Sequence, residues 1–117
     1  MSAKQLKTRV PRRGLEKNAL IFAALGDQTR LHLVARLSVD GPMSIARLTE
    51  GGAVTRQAVT KHLQVLANVG LAGSSRLGRE RVWELEPEPL DAARRCLDGI
   101  SAQWDAALDR LKKLVEG

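Results

Sequence analysis

Thr55-Arg56-Gln57-Ala58-Val59-Thr60-Lys61-His62-Leu63-Gln64-Val65-Leu66-Ala67-Asn68 is the stretch that decides how this chain folds. Stepping about 100° per residue splits it into two faces. Val59, Leu63 and Leu66, with Val69 just beyond, share one side and predict a buried face. Gln57, Thr60, Lys61, Gln64 and Asn68 share the other, which is wholly polar with one positive charge. Arg56 sits on the boundary near the start. Thr55 is a good N-cap, and Gly70 ends the helix. Any surface helix has a polar outer face, so the chemistry of the first turn matters more. Thr55, Arg56 and Gln57 lie where free backbone N–H groups and the helix dipole attract phosphate. Arg and Gln are also the side chains that pair with guanine and adenine edges in a major groove.

Working outward, Glu50-Gly51-Gly52 reads as a turn before this helix. Ser44 caps a short helix with Ile45 and Leu48 inward. Asp27 caps a longer one running to about Val39, with Leu31, Val34 and Leu37 inward, broken by Asp40-Gly41-Pro42. Leu15 to Leu25 predicts a helix that is apolar on most sides, closed by Gly26. Downstream the period changes: Leu71 to Leu77 and Arg81 to Glu86 read as two short strands around Gly78-Arg79. Pro87 and Pro89 end the pairing, and Pro89 suits the first turn of a final helix, Leu90 to about Val115. That helix places Leu90, Ala93, Leu97, Ile100, Trp104, Leu108, Leu111 and Val115 at alternating three- and four-residue steps, a heptad-like seam. The expected fold class is mainly α with a small β-hairpin, a winged helix-turn-helix. Its first and last helices form a dimer interface through Leu15, Ile21, Leu97, Ile100, Trp104, Leu108 and Leu111. Residues 1–14 are expected as a basic flexible arm and 15–117 as one DNA-binding and dimerisation domain.

Composition narrows the function classes. The chain has 117 residues, 44% of them hydrophobic, which supports one packed domain. With one Phe, two Trp and no Tyr it lacks the aromatics of a single-strand stacking platform. The single Cys96 rules out an intrachain disulfide and suits a reducing, cytoplasmic setting. His32 and His62 are too few for an ordinary all-protein metal site. No run is long enough to span a membrane, and no signal-peptide pattern follows the apolar stretch Ala19 to Leu25. The net charge of +6 is clustered: residues 1–14 carry +5 and residues 55–81 carry +4. Clustered positive charge is the footprint of nucleic-acid contact, although it also suits any soluble basic surface. Arg56, Gln57 and Thr60 are therefore expected at base edges, Thr55 and Lys61 on phosphates, and Gln64 on the same groove-facing arc. Arg76, Arg79 and Arg81 on the wing are expected to reach a neighbouring backbone or the minor groove. His62 turns toward the core side of the wheel and is expected as a partly buried histidine braced by a backbone partner.

The run from Phe22 to Glu86 resembles the ArsR family of bacterial winged-helix repressors. The likeness is carried by Ala24-Leu25-Gly26-Asp27-Gln28-Thr29-Arg30, Met43-Ser44-Ile45-Ala46-Arg47-Leu48, Thr55 to Leu66, and Gly70-Leu71. The resemblance implies a homodimeric repressor on an inverted-repeat operator near its own promoter, with the first and last helices at the dimer contact. It also implies DNA contacts around Thr55 to Thr60 and, in some members, from the histidine matching His62. Metal-sensing members carry a cysteine pair on the third helix, where this chain has Ser44-Ile45-Ala46-Arg47-Leu48-Thr49-Glu50. Other members place Asp and His ligands on the last helix, where this chain has Asp105 and Asp109 but no histidine. The resemblance is closer to members without metal, especially a branch with Trp104-Asp105-Ala106-Ala107-Leu108 in the dimer helix, so neither metal nor cofactor is expected.

Two other regulator classes stay open at this stage. A redox- or metal-responsive sensor repressor has only Cys96 as a handle, and a lone helical cysteine is usually a small buried apolar group. A winged helix that binds protein without operator specificity is the other. An enzyme is not expected, because no nucleophile–base pair, phosphate loop or paired carboxylate has coherent spacing.

Overall fold

The computed structural model describes residues 12–52 and 54–117. The elements are α1 (Arg12–Leu25), α2 (Gln28–Asp40), β1 (Met43–Ser44), α3 (Ile45–Leu48), α4 (Arg56–Asn68), β2 (Ala72–Leu77), β3 (Glu80–Leu85) and α5 (Pro87–Glu116). The mainly helical winged helix-turn-helix expected from the sequence is the architecture observed. The arm expected over 1–14 is shortened, since α1 takes in Arg12 to Gly14. Residues 1–11 of that arm lie outside the described residues.

Local chemistry sets most boundaries. Asp27 Oδ2 accepts from the Arg30 backbone N–H at 3.0 Å and starts α2. Ser44 Oγ accepts from Arg47 N at 3.2 Å and starts α3. Thr55 Oγ1 accepts from Ala58 N at 3.1 Å and starts α4. These side chains meet backbone donors that a helix start leaves unpaired. At the far end of α4, Gly70 takes φ +82° and lets Leu71 N reach Leu66 O at 2.9 Å. That left-handed residue reverses the chain and drops Leu71 into the core.

Two elements depart from expectation. β1 was not anticipated: Met43 pairs with Trp83 and Ser44 with Val82, making a three-stranded antiparallel sheet in the order β1-β3-β2. Two residues are too short to show alternation, so no sequence signal marks them. The final helix starts at Pro87 rather than Leu90 and runs 30 residues, about 45 Å at the α-helical rise. Pro87 needs no helical N–H partner, so it opens the first turn instead of blocking it.

The core gathers Ile21 and Ala24 from α1, Leu33, Val34 and Leu37 from α2, and Leu48 from α3. Val59, Leu63 and Leu66 of α4 pack with Leu71, Ala72, Trp83 and Ala93 on the other side. α2 is turned relative to the sequence reading, and Leu31 is 53% exposed instead of inward. The buried stripe is Leu33, Val34 and Leu37, and Arg30 lies on the same stripe at helical spacing. The rotation follows from Arg30, whose guanidinium points inward to Ala24 O. Ile21, expected at the dimer surface, is 2% exposed and belongs to the protomer's own core. α1 presses that side against its own domain, so Ile21 can back an interface but not line it.

Candidate nucleic-acid interface

α4 presents Arg56, Gln57, Lys61, Gln64 and Asn68 as exposed side chains and buries Val59, Leu63 and Leu66. The two faces therefore lie where the wheel put them. None of the exposed Arg56, Gln57, Lys61 or Gln64 side chains is held by another described residue. Thr60 is half-buried, and its Oγ1 donates to Arg56 O at 2.8 Å. Its hydroxyl hydrogen is committed to the helix, which leaves the oxygen lone pairs as its remaining polar capacity. Thr55 spends one lone pair on the cap and keeps its hydroxyl hydrogen.

The wing is the β2–β3 hairpin, closed by Gly78-Arg79 with Gly78 at φ +68°. A positive φ at the first loop position is what a tight two-residue hairpin requires. The register sets Ala72, Ser74 and Arg76 opposite Leu85, Trp83 and Arg81. Directly opposed residues share a face, so Arg76 and Arg81 lie on the face of the buried Ala72 and Trp83, which is the α4 side. Arg81 Nη1 donates to Ser74 Oγ at 2.8 Å. Two guanidiniums opposite each other repel, and no carboxylate among the described residues pairs with either. A groove of about 380 Å³ separates wing from helix, lined by Thr60, Gln64, Ala67, Ser74, Arg81 and Trp83. Trp83 Nε1 is buried there without a partner among the described residues.

His62 is braced, but by side chains rather than by a backbone group. Its Nδ1 is 3.3 Å from Arg30 Nη1 and 3.8 Å from Asp27 Oδ2. The Arg30 backbone N–H, followed by the charges of Arg30 and His62, holds the Asp27 carboxyl below its ordinary range, against partial desolvation. The role of Arg30 escaped sequence reasoning. The available signal was its place at i, i+3, i+4, i+7 with Leu33, Val34 and Leu37.

Away from the reading face, Leu15, Leu97, Ile100, Trp104, Leu108 and Leu111 are all exposed, Trp104 by 64%. Leu20, which was not singled out, adds to the apolar surface of α1. Cys96 is half-buried on α5. Among the described residues, no helix is long and apolar enough to cross a membrane. Among the same residues, no group of three or more His, Cys, Asp or Glu side chains is placed to hold a metal ion.

No family model matches the chain. It is 37% identical over 95 residues to the HTH-type transcriptional regulator Rv2034 of Mycobacterium tuberculosis, covering 81% of this chain and 85% of that one. Among solved structures it resembles an ArsR-like transcriptional regulator from Rhodococcus sp. RHA1. That match has 34% identity, 86% and 93% coverage of the two chains and a TM-score of 0.73. A homodimeric winged helix-turn-helix DNA-binding domain from Mycobacterium bovis shares the fold at 23% identity, with 76% and 81% coverage and a TM-score of 0.60. The chain belongs to the ArsR family of winged helix-turn-helix transcription regulators. It is a DNA-binding regulator and not an enzyme.

Proposed function

We propose that this chain is a homodimeric repressor that reads an inverted-repeat operator, with α4 in the major groove and the β2–β3 wing on the adjoining backbone. The observation that carries this reading is the exposed, unengaged Arg56, Gln57, Lys61 and Gln64 of α4, beside an arginine face on the wing with no acidic partner among the described residues. Arg56 and Gln57 supply base-edge donors at the helix start, and Thr60 meets a base through its methyl group. Thr55 and Lys61 take phosphates, with Gln64 further along the same arc. Arg76 and Arg81 face α4 across the groove, which favours phosphates of the strand beside the reading helix over a distant minor groove. Arg79 lies exposed in the loop at the tip of the wing.

The dimer is assigned to the exposed apolar strip of α5 with Leu15 and Leu20 of α1. Two copies would cover side chains that one copy leaves in water. A relative of the same fold, described above, is itself homodimeric, which supports a dimer. A two-fold dimer places its reading helices about 34–36 Å apart on one side of the duplex. Regulation without bound metal and a cytoplasmic setting belong to the same proposal.

Selection of bound sequences from random duplex DNA tests the reading. A site with two half-sites related by a dyad is expected, about one helical turn apart. An asymmetric site would overturn the dimer, and no enriched sequence at all would overturn the operator.

A further inference from the structure

One arginine ties the reading helix to two other elements. Arg30, half-buried on α2, donates from Nε to Ala24 O of α1 at 2.6 Å. Its Nη1 lies 3.3 Å from His62 Nδ1 on α4. Its backbone N–H donates to Asp27 Oδ2 at 3.0 Å. We propose that Arg30 is a positioning residue for DNA reading: its Nη1 donates to His62 Nδ1, which sets the ring proton on Nε2, and so anchors α4 to the end of α1. This rests on the DNA-binding reading above.

The chemistry follows from what each group can do. A guanidinium has only donors and stays charged. The nitrogen facing Nη1 must therefore accept, which puts the ring proton on Nε2. A proton arriving at Nδ1 turns that acceptor into a donor. The Arg30 bond is then lost, and two cations face each other. Asp27 Oδ2, 3.8 Å from the same Nδ1, becomes the favoured partner. Asp27 bonds only to the start of α2, whereas Arg30 also bonds to α1, so the proton moves the ring away from the group that reaches α1. The groups facing the ring are Arg30 and Asp27 from α2, and Ala24 O of α1 lies behind Arg30. Lys61, the adjacent cation on α4, is exposed. The His62 side chain is 26% exposed, which leaves it open to protons from solvent.

The sign of the pH effect separates this role from direct contact. A His62 that touched a phosphate as a cation would bind DNA more tightly on acidification. A His62 whose Nδ1 must accept from Arg30 makes binding weaker on acidification.

Two measurements test the tie. In the free protein, ¹⁵N resonances of the His62 imidazole at pH 7.5 are expected to show the proton on Nε2. A proton on Nδ1 overturns the proposal, whether or not an operator has been found. With DNA from the selection above, affinities are compared at pH 7.5 and 5.5 at constant salt, with circular dichroism confirming each fold. The wild type is expected to lose about fivefold on acidification, the scale of one hydrogen bond. His62→Asn, neutral at both values and able to accept from Arg30, should keep near-wild-type affinity at both. Arg30→Gln should be weakened by about the same factor at pH 7.5 and respond little to acid. Tighter wild-type binding at pH 5.5, or the wild-type acid response persisting in His62→Asn, overturns the proposal.

Discussion

The reading head and the long helix α5 handle charge in opposite ways. Along α5 several charges are paired locally: Arg94 meets Asp91 at 2.8 Å and Asp98 at 3.1 Å, Arg95 meets Asp91, and Lys113 meets Asp109 at 3.7 Å. On α4 and the wing, Arg56, Lys61, Arg76, Arg79 and Arg81 have no carboxylate partner among the described residues. Apolar groups show the reverse. α4 buries Val59, Leu63 and Leu66, whereas α5 leaves Leu97, Ile100, Trp104, Leu108 and Leu111 in water. The comparison teaches that each region is left open in a different currency. The cations of the head lack paired anions, and α5 with α1 lacks apolar cover. Exposed ion pairs are screened by water and salt, so α5 gains solubility and little stability from them. Association through α5 has to come from the apolar strip.

The sharpest way to break the comparison is to damage the core that both regions share. Leu63 is fully buried in the core cluster that also takes in Ala93 of α5. Leu63→Ala should cost about 2–5 kcal/mol of unfolding free energy, read by urea denaturation. A loss below about 1 kcal/mol would show that the head is not supported by that core. Next comes the α5 surface alone. Trp104→Glu with Leu108→Glu should give a folded monomer by sedimentation and at least a hundredfold loss on a two-half-site DNA, about 2.7 kcal/mol. An unchanged dimer would remove α5 from the interface.

Within the head the effects are smaller and separable. Gln57→Ala should cost about 1–3 kcal/mol and relax preference at one base position. Lys61→Ala should weaken every sequence alike and flatten the salt slope by about one unit. Equal behaviour of the two variants in salt titrations would defeat the division between base and phosphate contacts.

The smallest effect concerns pH. Asp91 is held below the ordinary carboxylate range by its hydrogen bond from Arg94, and Asp27 by the bond from the Arg30 backbone. For both, the folded pKa lies below the unfolded one. The stability they supply is complete above about pH 4 and drains as pH falls through the folded values. In urea melts from pH 7 to pH 2, Asp27→Asn with Asp91→Asn should show a shallower acid decline than the wild type. An identical decline would mean that these carboxylates carry none of it.

The Arg56–Asn68 helix, its caps and its two faces were legible in the sequence because each is local. A Thr at the start, a Gly just past the end and a 3.6-residue period all act within a few residues. The wing was legible for the same reason, through alternation around Gly78-Arg79. β1 was not, because two residues carry no period and gain their meaning only from Trp83 and Val82 far along the chain. Leu31 and Ile21 were misassigned for a related reason. An apolar residue on a mixed helix can face either way until its neighbours choose.

The sequence by itself therefore determined the elements, the polar arc of Gln57, Thr60, Lys61 and Gln64, and the clustering of positive charge. Only the tertiary structure decided which helix faces turn inward and which groups meet. It set Arg76 beside Arg81 on the α4 side of the wing, and Arg30 between Ala24 and His62. The physical reason is range: propensity and capping act over one or two turns, whereas these contacts join residues that only packing brings within hydrogen-bond distance.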